Sequence, residues 1–157
     1  MKKILFYIDQ KKRDFLSAYL IGSYLKKKYN YIIDYCTSSD ALYKYISFRP
    51  QIVVIGNPDI YHGNFAKFFS IYSNVFSIPT EQAIFEKKDF IERIIGGHNR
   101  YNKDFPPPQW EVVDKIYLWS NHQYNCLKDI DYLSSKLVIT GCSRLMELTA
   151  LEENFKD

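Results

Sequence analysis

Residues 115–146 read KIYLWSNHQYNCLKDIDYLSSKLVITGCSRLM, and this stretch holds two short apolar runs, 116–119 and 137–140, around a polar segment of helical length. Each run is too short for a helix and is made of residues that suit a buried strand. Ser120 follows the first run, where a serine makes a good helix N-cap. Gly141 and Ser143 follow the second and allow a tight turn into a further helix at Arg144. Strand, helix, strand, helix in succession requires a right-handed crossover and a parallel sheet. Ligands of such sheets gather at the carboxyl ends of the strands. The residues that follow each strand are therefore the ones to read for function.

The same alternation runs back to the start of the chain. Residues 4–8 are a continuous apolar run that ends at Asp9-Gln10-Lys11-Lys12-Arg13-Asp14. Apolar residues at 15, 16, 19, 20 and 24 then have helical spacing over 15–25. A second strand is predicted at 31–36. A helix capped by Ser38, Ser39 or Asp40 follows and runs to about Phe48, since Pro50 prevents its continuation. Residues 52–55, apolar on both faces, suit a central parallel strand, and Gly56-Asn57-Pro58-Asp59 is a turn sequence. Asn64 is placed to cap a helix over 65–72, a fourth strand is predicted at 75–78, and a helix over 89–95 stops at Gly96-Gly97. Residues 98–109, with three consecutive prolines, read as a surface loop. The expectation is one three-layer, Rossmann-like α/β domain over residues 1–157, with a mainly parallel sheet of five to six strands.

Composition narrows the class. A chain of 157 residues can bury a real core. The net charge of +3 is too mild to argue for a nucleic-acid partner, and no basic run is interleaved with aromatics. Lys26-Lys27-Lys28 suits a helix C-terminus, where cations complement the dipole. The opening MKKILFYID lacks the long apolar core of a signal peptide. Cys36, Cys126 and Cys142 are odd in number and far apart, which argues against a disulfide framework and for a reducing cytoplasm.

The common site signatures fail one by one. Neither a Gly-x-Gly-x-x-Gly fingerprint nor a Walker phosphate loop is present. His62, His98 and His122 have neither His-x-x-x-His spacing nor a nearby cysteine pair, so no metal is expected. There is no Gly-x-Ser-x-Gly elbow. A phosphoacceptor receiver needs an acidic pair, an aspartate and a lysine after strands one, three and five. Asp9-Gln10, Asn57 and Ser120 stand there instead.

KILFYIDQKKRD at the start, IPTEQ after the fourth strand, and DKIYLWS with KLVITGCSR near the end resemble the amino-terminal half of bacterial surface-carbohydrate biosynthesis proteins. These are glycosyltransferases of the GT-B type and their relatives. Gln82 stands where that family favours Gly, and Ser143 and Glu147 where it favours Pro and a later Asp. The resemblance implies an acceptor-side domain for capsule or lipopolysaccharide sugars, facing a second domain that holds the nucleotide-sugar. It implies a carbohydrate acceptor as partner, a donor met only through a second domain or subunit, no nucleic acid, and no cofactor. Peripheral association with the inner membrane is compatible with that role.

Under that resemblance the strand ends acquire roles. Glycosyl transfer needs a general base or a group that stabilises positive charge at the sugar carbon, and Glu81 is placed for one of these. Its alternative is a glutamate favoured by a helix dipole. Asp9 orients an acceptor hydroxyl or merely ends strand one. Arg13 grips a phosphate or carboxylate by its fork, with Asp14 beside it as a helix cap. Asn57 and Ser120 belong to the same rim. His122 and Arg144, near helix starts, face the cleft or solvent; Trp119 and Trp110 read as anchors. A stand-alone Rossmann-like binding or scaffold module without chemistry is the reading from another class.

Overall fold

The computed structural model describes residues 1–57, 60–79, 86–94 and 110–142. Strands and helices alternate: β1 (Lys3–Tyr7), α1 (Lys11–Tyr29), β2 (Ile32–Cys36), α2 (Ala41–Phe48), β3 (Ile52–Ile55), α3 (Ile60–Phe69), β4 (Asn74–Ser77), α4 (Lys87–Ile94), β5 (Lys115–Leu118), α5 (Asn121–Leu127), α6 (Asp131–Ser134) and β6 (Leu137–Ile139). All six strands form one sheet in the order β2-β1-β3-β4-β5-β6, and every neighbouring pair is parallel. The expected α/β architecture and its six parallel strands are present, with β1, β3 and β4 inside the sheet.

Alternation along the strands sends side chains to two cores. Leu5, Tyr7, Val53, Ile55, Val75, Ile116 and Leu118 pack with Tyr45, Phe69, Phe90, Leu127 and Leu133 from α2, α3, α4, α5 and α6. Ile4, Phe6, Ile8 and Val54 face the other way, against Ala18, Ile21 and Leu25 of α1. One described helix thus covers one face and five cover the other. Beyond α1 the sheet keeps an apolar groove of about 690 Å³, lined by Ile52, Val54, Phe76, Ile78 and Tyr117 and closed at one end by Thr140–Cys142. Among the described residues, no helix is long and apolar enough to cross a membrane.

The wiring fixes where a ligand would sit. From β1 the chain steps out to β2, then returns past β1 to β3 and continues in one direction to β6. The reversal lies between β1 and β3, and the crevice there is the topological switch point of the sheet.

Several boundaries differ from the sequence expectations. α1 begins at Lys11, four residues before its apolar stripe, because its first turn is entirely polar. Asp14 is therefore not an N-cap but lies inside that turn. The lysine run does close α1, and Asn30 ends it in the left-handed conformation (φ 55°) with its N–H on the Lys26 carbonyl. α3 starts at Ile60, so Asn64 lies within the helix and does not cap it. The segment between β5 and β6 forms two short helices, not one. Their junction is closed by Lys128 N–H on Tyr124 O and Ile130 N–H on Leu127 O.

Candidate functional site

Because the strands are parallel, Asp9, Asn57 and Ser120 stand on one rim, each two residues beyond the end of its strand. Asp9 and Asn57 follow adjacent strands. Ser120 is two strands further along, roughly 10 Å from Asn57 at the usual strand spacing. Glu81 and Arg144 lie outside the described residues. The rim therefore brings Asp9, Arg13 and Asn57 together and leaves Ser120 and His122 apart.

The start of α1 organises this end of the sheet. Arg13 donates from Nε to Asp14 Oδ1 (2.6 Å) and from Nη2 to Asp14 Oδ2 (2.9 Å) and Asp9 Oδ2 (3.0 Å). Asp14 Oδ2 also accepts from the Gln10 N–H at 3.1 Å, reaching back over the first turn as a capping residue would. The Asp14 side chain is 9% exposed and that of Asp9 31%, so the first bond is sheltered and the second faces water. A guanidinium held this way is turned onto two carboxylates. Its part at the rim is to fix Asp9, and Asp9 offers the rim its partly exposed carboxylate.

Across the switch point, Ser77 on β4 is fully buried and donates to the Gly56 carbonyl at 2.7 Å, fixing the turn out of β3. The next residue is Asn57, whose Oδ1 is buried and accepts no hydrogen bond among the described residues. The Tyr132 hydroxyl shares that condition, but it sits on α6 and away from the switch. A buried amide oxygen without a donor costs about 1–3 kcal/mol, a cost that a water or a ligand hydroxyl donating to it would offset. Below the rim, Tyr7, Ile8, Asp14, Ser17, Gly56 and Ile78 enclose a cavity of about 30 Å³. That is room for a water and not for a sugar ring. A larger ligand would rest on the rim, with its far side open.

The β5 end is built for structure. Ser120 caps α5, its Oγ accepting from Gln123 N–H at 3.3 Å, while Gln123 Oε1 accepts from Trp119 N–H at 2.6 Å. The two bonds fix the entry to α5 and use the Ser120 hydroxyl locally. Trp119 Nε1 donates to the Pro79 carbonyl at 3.0 Å, tying the end of β4 to the end of β5 just before Thr80 and Glu81. Trp110 is buried, as an anchor should be. His122 Nε2 lies 3.8 Å from Cys126 Sγ, one turn along α5. Among the described residues no group of histidine, cysteine and carboxylate side chains could hold a metal ion.

Sequence reading missed Asp14 and Ser17 as buried polar residues beside the switch point. An aspartate directly after an arginine, before an apolar stripe, is a weak signal that a polar first turn precedes it. Ser17 had none. No family model matches the chain, and no curated protein matches it significantly.

Proposed function

We propose that this chain is the acceptor-side domain of a GT-B-like glycosyltransferase of bacterial capsule or lipopolysaccharide assembly, working in the cytoplasm. The nucleotide-sugar is held by a second domain or subunit. The observation that carries the reading is the buried, unsatisfied Asn57 acceptor beside the Asp9 carboxylate at the switch point. Two oxygen acceptors side by side suit the hydroxyls of a carbohydrate, which donate readily.

Three further observations favour it. The family-like stretches 3–14, 114–120 and 136–144 fall on β1, β5 and β6 and on the rim turns that follow β1 and β5 and begin after β6. The turn after β1 contains no glycine and starts α1 with an acid-flanked arginine, so phosphate has no glycine cradle there. The cavity at the switch point is too small to enclose a sugar, as one wall of a two-walled cleft would be. Glu81, two residues beyond the Trp119-tethered Pro79, is the proposed general base of the complete enzyme. Arg144 and His122 remain proposals for contacts with the donor side.

Titrating ¹⁵N-labelled chain with short oligosaccharides of N-acetylhexosamine and hexuronic acid tests this reading. Amide shifts clustered on Asp9, Gln10 and Asn57, and lost in Asn57→Leu, are the expected result. Shifts absent from that rim with every sugar would leave only the scaffold module.

A further inference from the structure

We propose that the outer face of α2 and the turn after α3 form a self-complementary surface that pairs two copies of this chain about a twofold axis. α2 turns Ala41 and Tyr45 to the core and Leu42, Tyr43 and Ile46 outward. A helix apolar on both sides needs a second apolar neighbour. None is present among the described residues: Tyr43 is 74% exposed, Ile46 64%, and Tyr72 in the α3–β4 turn 85%. Beside this ridge lies a groove of about 520 Å³, walled by Ile46, Pro50, Phe68 and Tyr72. It begins one turn beyond Tyr43, toward the carboxyl end of α2. Ridge and groove together make an exposed apolar patch of the kind that marks an interaction site.

Two features fit this face to its own copy, and the first is charge. The face carries both signs, with Asp40 at the amino end of α2 and Arg49 at its carboxyl end. Between them Lys44 is neutralised by Asp34 at 2.8 Å. The Asp40 carboxylate makes no cap bond to α2 and accepts from the Thr37 N–H and hydroxyl. Among the described residues no carboxylate pairs with Arg49. Lys67, next to Phe68 on α3, is exposed and adds a cation outside this set. A partner of one sign would be opposed by Asp40 or by Arg49. A second copy with its α2 antiparallel brings each Asp40 end to the other copy's Arg49 end.

The second feature is shape. Residues 40 and 49, and likewise 43 and 46, are symmetric about the middle of α2, between Lys44 and Tyr45. A twofold axis there sets Tyr43 of each copy against Ile46 of the other, at the mouth of the groove. Each ring then enters the other's groove, so that one contact is made twice, as an isologous pair requires. Tyrosine is a residue that such anchor positions favour. Pro50 and Tyr72 precede β3 and β4, whereas Asp9 and Asn57 follow β1 and β3, so pairing leaves the rim open. One short helix and a turn offer less than the about 800 Å² a side of standard interfaces, so the pair should be reversible. The inference is independent of any sugar at the rim.

Sedimentation velocity of the intact chain tests it. The chain should be monomeric at about 1 μM and mostly dimeric at about 500 μM, for a dissociation constant between about 10 and 100 μM. Tyr43→Ser should weaken pairing at least about tenfold. Asp40→Arg and Arg49→Asp should each weaken it about threefold or more. Mixed in equal amounts, these two variants should pair more tightly than either does alone, since each end then meets the opposite charge. Tyr43 and Arg49 are exposed, so their variants should melt with the parent. If Asp40→Arg, which loses the Thr37 bonds, does not fold, the other two variants decide. A chain that stays monomeric at about 500 μM would overturn the proposal. So would a dimer that Tyr43→Ser leaves unchanged, or a mixture no tighter than its parts. Co-sedimentation of a strictly monomeric chain with phosphatidylglycerol vesicles would assign the face to a bilayer instead.

Discussion

The Nη2 of Arg13 lies 3.0 Å from Oδ2 of Asp9, while the same guanidinium holds the sheltered Asp14 at 2.6 and 2.9 Å. One cation thus links a structural carboxylate to one at the rim. The two acids should respond differently to mutation. Asp14→Asn leaves a sheltered guanidinium short of its charge partner and should cost about 2–4 kcal/mol. Asp9→Asn breaks a bond that faces water and should cost less than about 1 kcal/mol. Urea denaturation of the two variants measures both. Equal losses would mean that Asp9 is a structural member of the cluster and not a rim acceptor.

Gly22 sets the distance between α1 and β2. A Cβ there would sit 2.9 Å from Ile33 Cγ2 and also run into the Tyr35 hydroxyl. The Tyr35 ring cannot swing aside freely, because it packs on Phe6 and Phe15 at centroid distances of 5.6 Å. Gly22→Ala should therefore destabilise by about 1–3 kcal/mol, although alanine is the better helix former by about 1 kcal/mol. A thermal melt decides which effect wins. A higher midpoint would show that α1 can move off β2.

Asp40 should make stability depend on acid pH. Its carboxylate accepts from the Thr37 N–H at 2.7 Å, and that bond holds its pKa below the ordinary 3.8. A depressed folded pKa means stability that is present above the unfolded value and lost as pH falls through the folded one. Asp40→Ala should cost about 1 kcal/mol near neutral pH, and parent and variant should converge as the pH drops below the unfolded value of 3.8. Denaturation midpoints across that range check it; a constant gap would show the bond to be indifferent to charge.

The three thiols should separate by reactivity. Burial pushes the Cys36 thiol up to about 12. Cys126 is also buried, whereas Cys142 is partly exposed. A thiol-specific reagent at about pH 8 should modify Cys142 first and reach the other two only on unfolding. The raised Cys36 value also contributes stability that is complete below its ordinary 9.0 and disappears as pH rises toward 12. Rapid labelling of Cys36 in the folded chain would contradict its placement in the core.

The sheet was legible because its signal is local. Runs such as 52–55 are apolar on both faces, and a parallel strand covered on both sides asks for nothing else. Strand order and the position of the switch point were not legible, since both depend on which strands meet and no single run encodes that. The start of α1 was lost because periodicity is visible only where apolar residues recur, and its first turn is Lys11-Lys12-Arg13-Asp14. Asp9, Asn57 and Ser120 could be placed on one rim from strand ends alone. Their separate conditions could not: the Ser120 hydroxyl accepts from the Gln123 N–H, and Asn57 Oδ1 meets no donor among the described residues.

The central claim is that the donor binds elsewhere and that this chain presents only the acceptor side. Titration calorimetry of the chain against UDP-, GDP- and CMP-linked sugars, with a transfer assay on the same samples, tests that claim most directly. The account predicts affinities no tighter than about 1 mM, near −4 kcal/mol, and no transferred sugar. Binding at about 10 μM or better, near −7 kcal/mol, together with sugar transfer by the chain alone, would contradict it.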